Sequence, residues 1–177
     1  MHSAEFLIDA IAEADSEVHI TGNAGGATPA NVLACAANLD DPVHFISKAG
    51  IDDYIGRWLK KIIDETINTD GLILSPSKNT AIAMVSLSAD NDDHFLSIAA
   101  VVRILQVLKE VSSAWILLIK NSRMFHFGSV SLTGETSSRS STLYAAQYAR
   151  EHNVIVSYDP NLRLNLWHSS EEAIKLH

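Results

Sequence analysis

The stretch that decides the fold is Met124-Phe125-His126-Phe127-Gly128-Ser129, then Ser138 to Glu151, then Val154-Ile155-Val156-Ser157-Tyr158-Asp159-Pro160. The outer two are short apolar runs of aromatic and β-branched residues, each ended by turn formers, and both are predicted strands. Ser138 to Glu151 between them reads as a helix, with the serines of 137–141 as its capping region. A strand, a helix and a strand with short connections make a βαβ unit, whose strands should be parallel and whose crossover should be right-handed. In such sheets ligands bind beyond the carboxyl ends of the strands. Gly128-Ser129 and Asp159 to Arg163 therefore lie where chemistry is expected.

Asp159-Pro160-Asn161-Leu162-Arg163 places three polar groups in an otherwise apolar run, with Pro160 stiffening the strand exit. Arg163 can present a planar fork of donors to a phosphate or carboxylate. The same spacing also suits a structural turn in which Arg163 pairs with Asp159.

Working outward, Ser169 and Glu172 have capping-box spacing, so one more helix opens there. The chain stops at His177, little more than one turn later, and truncation is the expectation. On the amino-terminal side, Trp115 to Ile119 is either a buried strand or a helix opening at Ser113. Thr80 to Leu87 is a predicted strand, with His94-Phe95-Leu96 returning as its hairpin partner after Asn91-Asp92-Asp93. From Arg57 onward, Leu59, Ile62, Ile63 and Ile67 recur at helical spacing. Val43 to Ile46, Phe6 to Asp9 and Val18 to Thr21 read as short strands, and Gly50 to Gly56 as a loop. Asn23 to Pro29 reads as a turn-rich loop, and Val32 to Leu39 as a buried helix with Cys35 as a small packing residue.

Gly25-Gly26 with Asn31 is the second candidate site. Glycines let the backbone approach a ligand closely, and the following helix start offers free N–H groups. The dinucleotide and P-loop patterns are both unmet, and a plain turn before a helix accounts for the same residues. The eight His are scattered and Cys35 stands alone, which argues against a structural metal site or a disulfide framework. His126, inside an apolar strand, reads as a satisfied core or near-site histidine.

The 177 residues suit one domain, and 47% hydrophobic with 19% charged residues is globular composition. A formal charge of −8 opposes nucleic acid and anionic lipid. No apolar stretch is long enough to cross a bilayer, and Met1 to Glu5 lacks the features of a signal peptide. A cytoplasmic location is expected.

In order along the chain, Glu5-Phe6-Leu7-Ile8-Asp9, Gly25-Gly26 through Asn31-Val32, Phe45 to Gly50, Thr80 to Ala83, Phe125 to Leu132 and Tyr158 to Trp167 together resemble the PfkB (ribokinase-like) family of carbohydrate kinases. Within it they are most similar to the fructokinases. The resemblance implies an α/β fold, a doubly wound sheet sandwiched between helices and truncated before the nucleotide-binding part. Residues 1–177 would form its sugar-binding portion, with a small β lid near 18–21 and 80–96.

It also implies transfer of the ATP γ-phosphoryl group to a sugar hydroxyl, with ATP and Mg as cofactors. Asp9, Gly25, Gly26, Asn31 and Phe95 would make up the substrate site, and Arg163 with Asn161 the phosphate site. The expected partners are a small sugar and, through the lid, a second copy. The family's Gly-Ala-Gly-Asp motif, which carries the catalytic aspartate, does not occur in these residues. Two other readings follow from the same pattern: a 2-keto-3-deoxygluconate kinase-like enzyme, or a non-catalytic sugar- or partner-binding remnant.

Overall fold

The computed structural model describes residues 2–3, 7–12, 23–24, 28–51, 67–76, 81–87, 93–96, 113–133, 137–162 and 164–176; before Asn31 and across 81–96 it is the backbone that is described. The strands are β1 (His2–Ser3), β2 (Leu7–Ala12), β3 (Asn23–Ala24), β4 (His44–Gly50), β5 (Asn68–Ser75), β6 (Ala81–Leu87), β7 (Asp93–Leu96), β8 (Met124–Gly128) and β9 (Ile155–Asp159). The helices are α1 (Thr28–Ala37), α2 (Ser113–Lys120), α3 (Ser137–Glu151) and α4 (Ser170–Leu176). Short 3-10 turns cover Ser129–Leu132 and Leu164–Leu166.

Two sheets result. One has five parallel strands in the order β5-β4-β1-β8-β9. The other, β3-β2-β6-β7, is mixed: β2 and β6 are parallel, while β3 and β7 join them antiparallel. The predicted βαβ unit is present, since β8 and β9 pair in parallel from Met124 with Ile155 to Gly128 with Asp159. The central strand β1 is only two residues long, yet it joins the halves by pairing with both β4 and β8.

Alternation along the strands sends side chains to opposite faces of the five-stranded sheet. Ile46, Phe125 and Phe127 pack with Trp115, Ile119, Ala149 and Ala173 in one core cluster, on the side of α2, α3 and α4. Phe45 and Ala49 pack with Leu33 of α1 in a second cluster. Helices thus cover both faces, the arrangement that parallel sheets require because their strands are buried on both sides.

Several expectations are corrected, and one strand is added to them. Residues 68–75, to which no element is assigned above, form a strand despite the turn-forming residues Asn68, Asp70 and Gly71. Gly71 sits where the β4–β5 register shifts between His44 and Ile46, and a Cβ there would lie 2.7 Å from the Phe45 carbonyl oxygen. The local glycine marks a close approach between strands, which is a tertiary demand. The helix expected over Val32 to Leu39 runs from Thr28 to Ala37 instead, and Pro29 at its start suits the first turn, where no N–H is required. It is not a buried helix: Leu33 faces the core, whereas Val32 and Cys35 are exposed. Alanines on both sides of Cys35 carry no directional signal, so burial could not be read from them. Asn23–Ala24, assigned to a loop, pairs with β2. Of the two readings left open for Trp115 to Ile119, the helix opening at Ser113 is the one observed. Val18 to Thr21, most of the loop over 50–56 and the helix after Arg57 fall outside the described residues.

Candidate functional site

All five parallel strands point the same way, so their carboxyl ends form one edge. At that edge Gly50 is aligned with Ser75 and Gly128 with Asp159. From the second pair issue two polar segments, the 3-10 turn Ser129–Leu132 and the exit Asp159 to Leu162.

The turn is built from its own hydroxyls. Ser131 Oγ donates to the Gly128 carbonyl at 2.7 Å and Thr133 Oγ1 to the Val130 carbonyl at 2.8 Å. Ser138, in the first turn of α3, donates to the Ser131 carbonyl at 2.8 Å, which fixes where the helix starts. Arg139 follows, donating through Nε to the Leu132 carbonyl at 2.7 Å and pairing through Nη2 with Glu172 of α4. Glu172 is held below the usual carboxylate range chiefly by the hydrogen bond from Arg139. The Glu172 N–H donates to Ser169 Oγ at 3.1 Å, as the capping-box spacing anticipates; its carboxylate also accepts from the His168 N–H at 3.2 Å. Sequence spacing exposes the local pair and hides the Arg139 contact, whose partners stand 33 residues apart.

Two rows back from the edge, the registered pair His126 and Ser157 shares a hydrogen bond, Nδ1 to Oγ, at 2.9 Å. His126 is buried, as its apolar strand suggests. Burial lowers its pKa from the ordinary 6.5, the Asp159 charge draws it partly back, and the amino terminus adds a small push downward. Tyr158 packs against its registered neighbour Phe127, with ring centroids 4.9 Å apart. Burial, with Asp159 beside it, pushes its phenol up to about 12.

Of the candidate residues, Asn161 stands at the exit from β9: its N–H donates to Asp159 Oδ1 at 3.1 Å and its carbonyl accepts from Ser129 Oγ at 3.2 Å. Asn31 is exposed in the first turns of α1. The carboxyl end of α1 feeds the amino end of β4 and the helix packs on β1, β4 and β8, so Asn31 lies toward the carboxyl edge. Asp9 and Phe95 belong to the four-stranded sheet, where Asp9 is aligned with Asn23 and Ala83 and Phe95 with Val85. Along β6 the two are two positions apart and share the same parity of the pleat. Gly25, Gly26 and Arg163 fall outside the described residues. The structure brings Gly128, Ser129, Asp159 and Asn161 together; Asp9 and Phe95 belong to another sheet.

Lys48 escaped the sequence reading. It is 8% exposed, two residues before the carboxyl end of β4, inside the Phe45 to Gly50 motif. A charged residue within a run of otherwise buried strand positions was the available signal. Among the described residues, no group of three or more His, Cys, Asp and Glu could hold a metal ion. No helix among them is long and apolar enough to cross a membrane.

A parallel sheet covered by helices on both faces, a second small sheet and polar loops at one carboxyl edge define a ribokinase-like α/β sandwich. Residues 4–176 match the pfkB family carbohydrate kinase pattern, and the chain belongs to that family. It is 37% identical over 178 residues to Fructokinase-1 of Oryza sativa subsp. japonica, covering 96% of this chain and 53% of that protein. It is 39% identical over 151 residues to Probable fructokinase-6, chloroplastic, of Arabidopsis thaliana, covering 85% of this chain and 38% of the relative. Among solved structures, the fructokinase from Xylella fastidiosa superposes with a TM-score of 0.80 at 27% identity, covering 98% of this chain and 56% of that one. The chain therefore spans about half the length, or less, of these relatives. The same Xylella enzyme has been solved with bound ATP, and a fructokinase from Vibrio cholerae O395 with fructose, ADP and calcium.

Proposed function

We propose that these residues form the sugar- and phosphate-facing part of an ATP-dependent, fructokinase-type phosphotransferase. The observation that carries the reading is the carboxyl edge at Gly128 and Asp159, where two polar segments meet in a chain of the pfkB family. Asp9, Gly25, Gly26 and Asn31 hold sugar hydroxyls, with Phe95 at the same site. A carboxylate and a carboxamide suit that task because each can bond two neighbouring hydroxyls. Arg163, with Asn161, faces the transferred phosphate, where phosphoryl transfer needs positive charge and fixed geometry.

ATP, when bound, supplies the phosphoryl group. Mg2+ typically reaches such sites on substrate phosphates with one or two carboxylates, so it requires no protein cage of three ligands. These residues bind and orient. The Gly-Ala-Gly-Asp segment that would supply the base and anion-hole amides does not occur among them. Our reading includes a cytoplasmic location, which suits a single exposed Cys35, and a homodimer through the lid near 18–21 and 80–96.

Calorimetry of the 177-residue protein with fructose tests the sugar site. Saturable binding is expected, weakened about tenfold or more in Asp9→Ala by loss of a charged acceptor. A folded sample that gives no heat with fructose or related sugars sinks the proposal. A coupled assay should register no sugar-dependent ATP consumption from these residues alone. Turnover that Arg163→Ala abolishes would show instead that this chain is catalytic by itself.

A further inference from the structure

Four hydroxyls cluster where β8 gives way to α3, and three of them serve the local backbone. Ser131 and Thr133 donate within the 3-10 turn, and Ser138 joins that turn to the helix. Ser129 differs. It is 1% exposed, and its Oγ donates to the carbonyl of Asn161, 32 residues along the chain and 3.2 Å away.

The acceptor's position gives this bond its consequence. Asn161 follows Pro160, which has no N–H, and its own N–H closes onto Asp159 Oδ1. The exit from β9 is therefore held from two sides, by the aspartate at its start and by a buried serine from the neighbouring strand's exit. Two residues further on comes Arg163.

We infer that Ser129 is a positioning residue for phosphate recognition. By holding the Asn161 carbonyl it fixes the backbone that carries the Asn161 side chain and leads to Arg163. The inference rests on the assignment of those two residues to the phosphate. Ser129 itself does not touch the anion. Its effect is to order the segment before the ligand arrives, so that less conformational freedom is lost on binding.

The test is calorimetry of the 177-residue protein with inorganic phosphate and, separately, with fructose, for the wild type, Ser129→Ala and Arg163→Ala. Ser129→Ala is expected to weaken phosphate binding about three- to tenfold, the range for one hydrogen bond, while fructose affinity stays within about twofold. Amide exchange from Asn161 to Leu164 should quicken, with no change at Phe125 to Phe127. Phosphate affinity unchanged in Ser129→Ala but lost in Arg163→Ala overturns the role of Ser129 and leaves the phosphate site standing. Equal losses for phosphate and fructose also overturn it, because they mark a general structural defect. No phosphate binding by the wild type overturns both readings.

Discussion

The chain turns the same corner twice, once from α1 into β4 and once from α3 into β9. In the first, the Asp41 N–H bonds the Ala36 carbonyl and the Asp40 N–H the Ala37 carbonyl; in the second, the Val154 N–H bonds the Ala149 carbonyl and the Asn153 N–H the Arg150 carbonyl. Both are Schellman motifs, and both place a non-glycine residue, Asp40 or Asn153, at φ 60°. The strands that follow differ. β4 is buried from Phe45 to Gly50 between two other strands, whereas β9 pairs, among the described residues, with β8 alone, with Ile155 exposed and the other four positions half-buried. One local motif thus serves a buried strand that supplies the core and a half-buried strand that ends in the polar exit. Helix termination is decided locally, and the use made of the next strand by its place in the sheet.

The largest expected effect tests the interior side. At the β4–β5 irregularity a Cβ on Gly71 would meet the Phe45 carbonyl oxygen at 2.7 Å and Ile46 Cγ1 at 2.9 Å. Backbone oxygen cannot move aside as a side chain can. Gly71→Ala should cost about 1–3 kcal/mol in urea unfolding, and an unchanged midpoint would mean that the two strands are not in this register.

Acidification probes the half-buried side. The folded pKa of His126 lies below its ordinary 6.5, so between those two values the unfolded chain binds more protons than the folded one. Its contribution is therefore complete above pH 6.5 and is lost as pH falls toward the folded value. Thermal melts at pH 7 and pH 5.5 should show a smaller acid loss for His126→Gln than for wild type. Equal losses would show that His126 does not set the acid limb.

The smallest effect compares the corners themselves. Asp40→Gly should stabilise by about 0.5–1 kcal/mol, because glycine takes a left-handed backbone without steric cost. Asn153→Gly should gain only a few tenths, since asparagine already suits that position. A loss at either site would indicate that the side chain contributes more than its backbone conformation.

Much of the region around β9 was legible. The β8-α3-β9 unit lies in one continuous stretch whose hydrophobic period changes from strand to helix and back, and whose parallel pairing follows from the short connections. The capping pair Ser169 and Glu172 was legible for the same reason: its partners are three residues apart. The strand over 68–75 was not, because Asn68, Asp70 and Gly71 mimic a turn, and their extended conformation is imposed by pairing with β4. Among the candidate residues, those that could be chosen were the ones whose chemistry stands out in a local motif, such as Asp159 to Arg163. Ser129 was one serine among many until Asn161 came within reach of its hydroxyl.

By itself the sequence determined the composition class, the order of the family's motifs and the elements whose signals are local: capping, periodicity and strand exits. Tertiary structure decided that a two-residue strand joins the halves of the sheet, that β2 belongs to the second sheet, that Lys48 and Ser129 are buried, and that Arg139 reaches Glu172. The physical reason is range. Backbone propensity and capping act over a few residues, whereas burial and cross-strand hydrogen bonds depend on neighbours that only folding brings together.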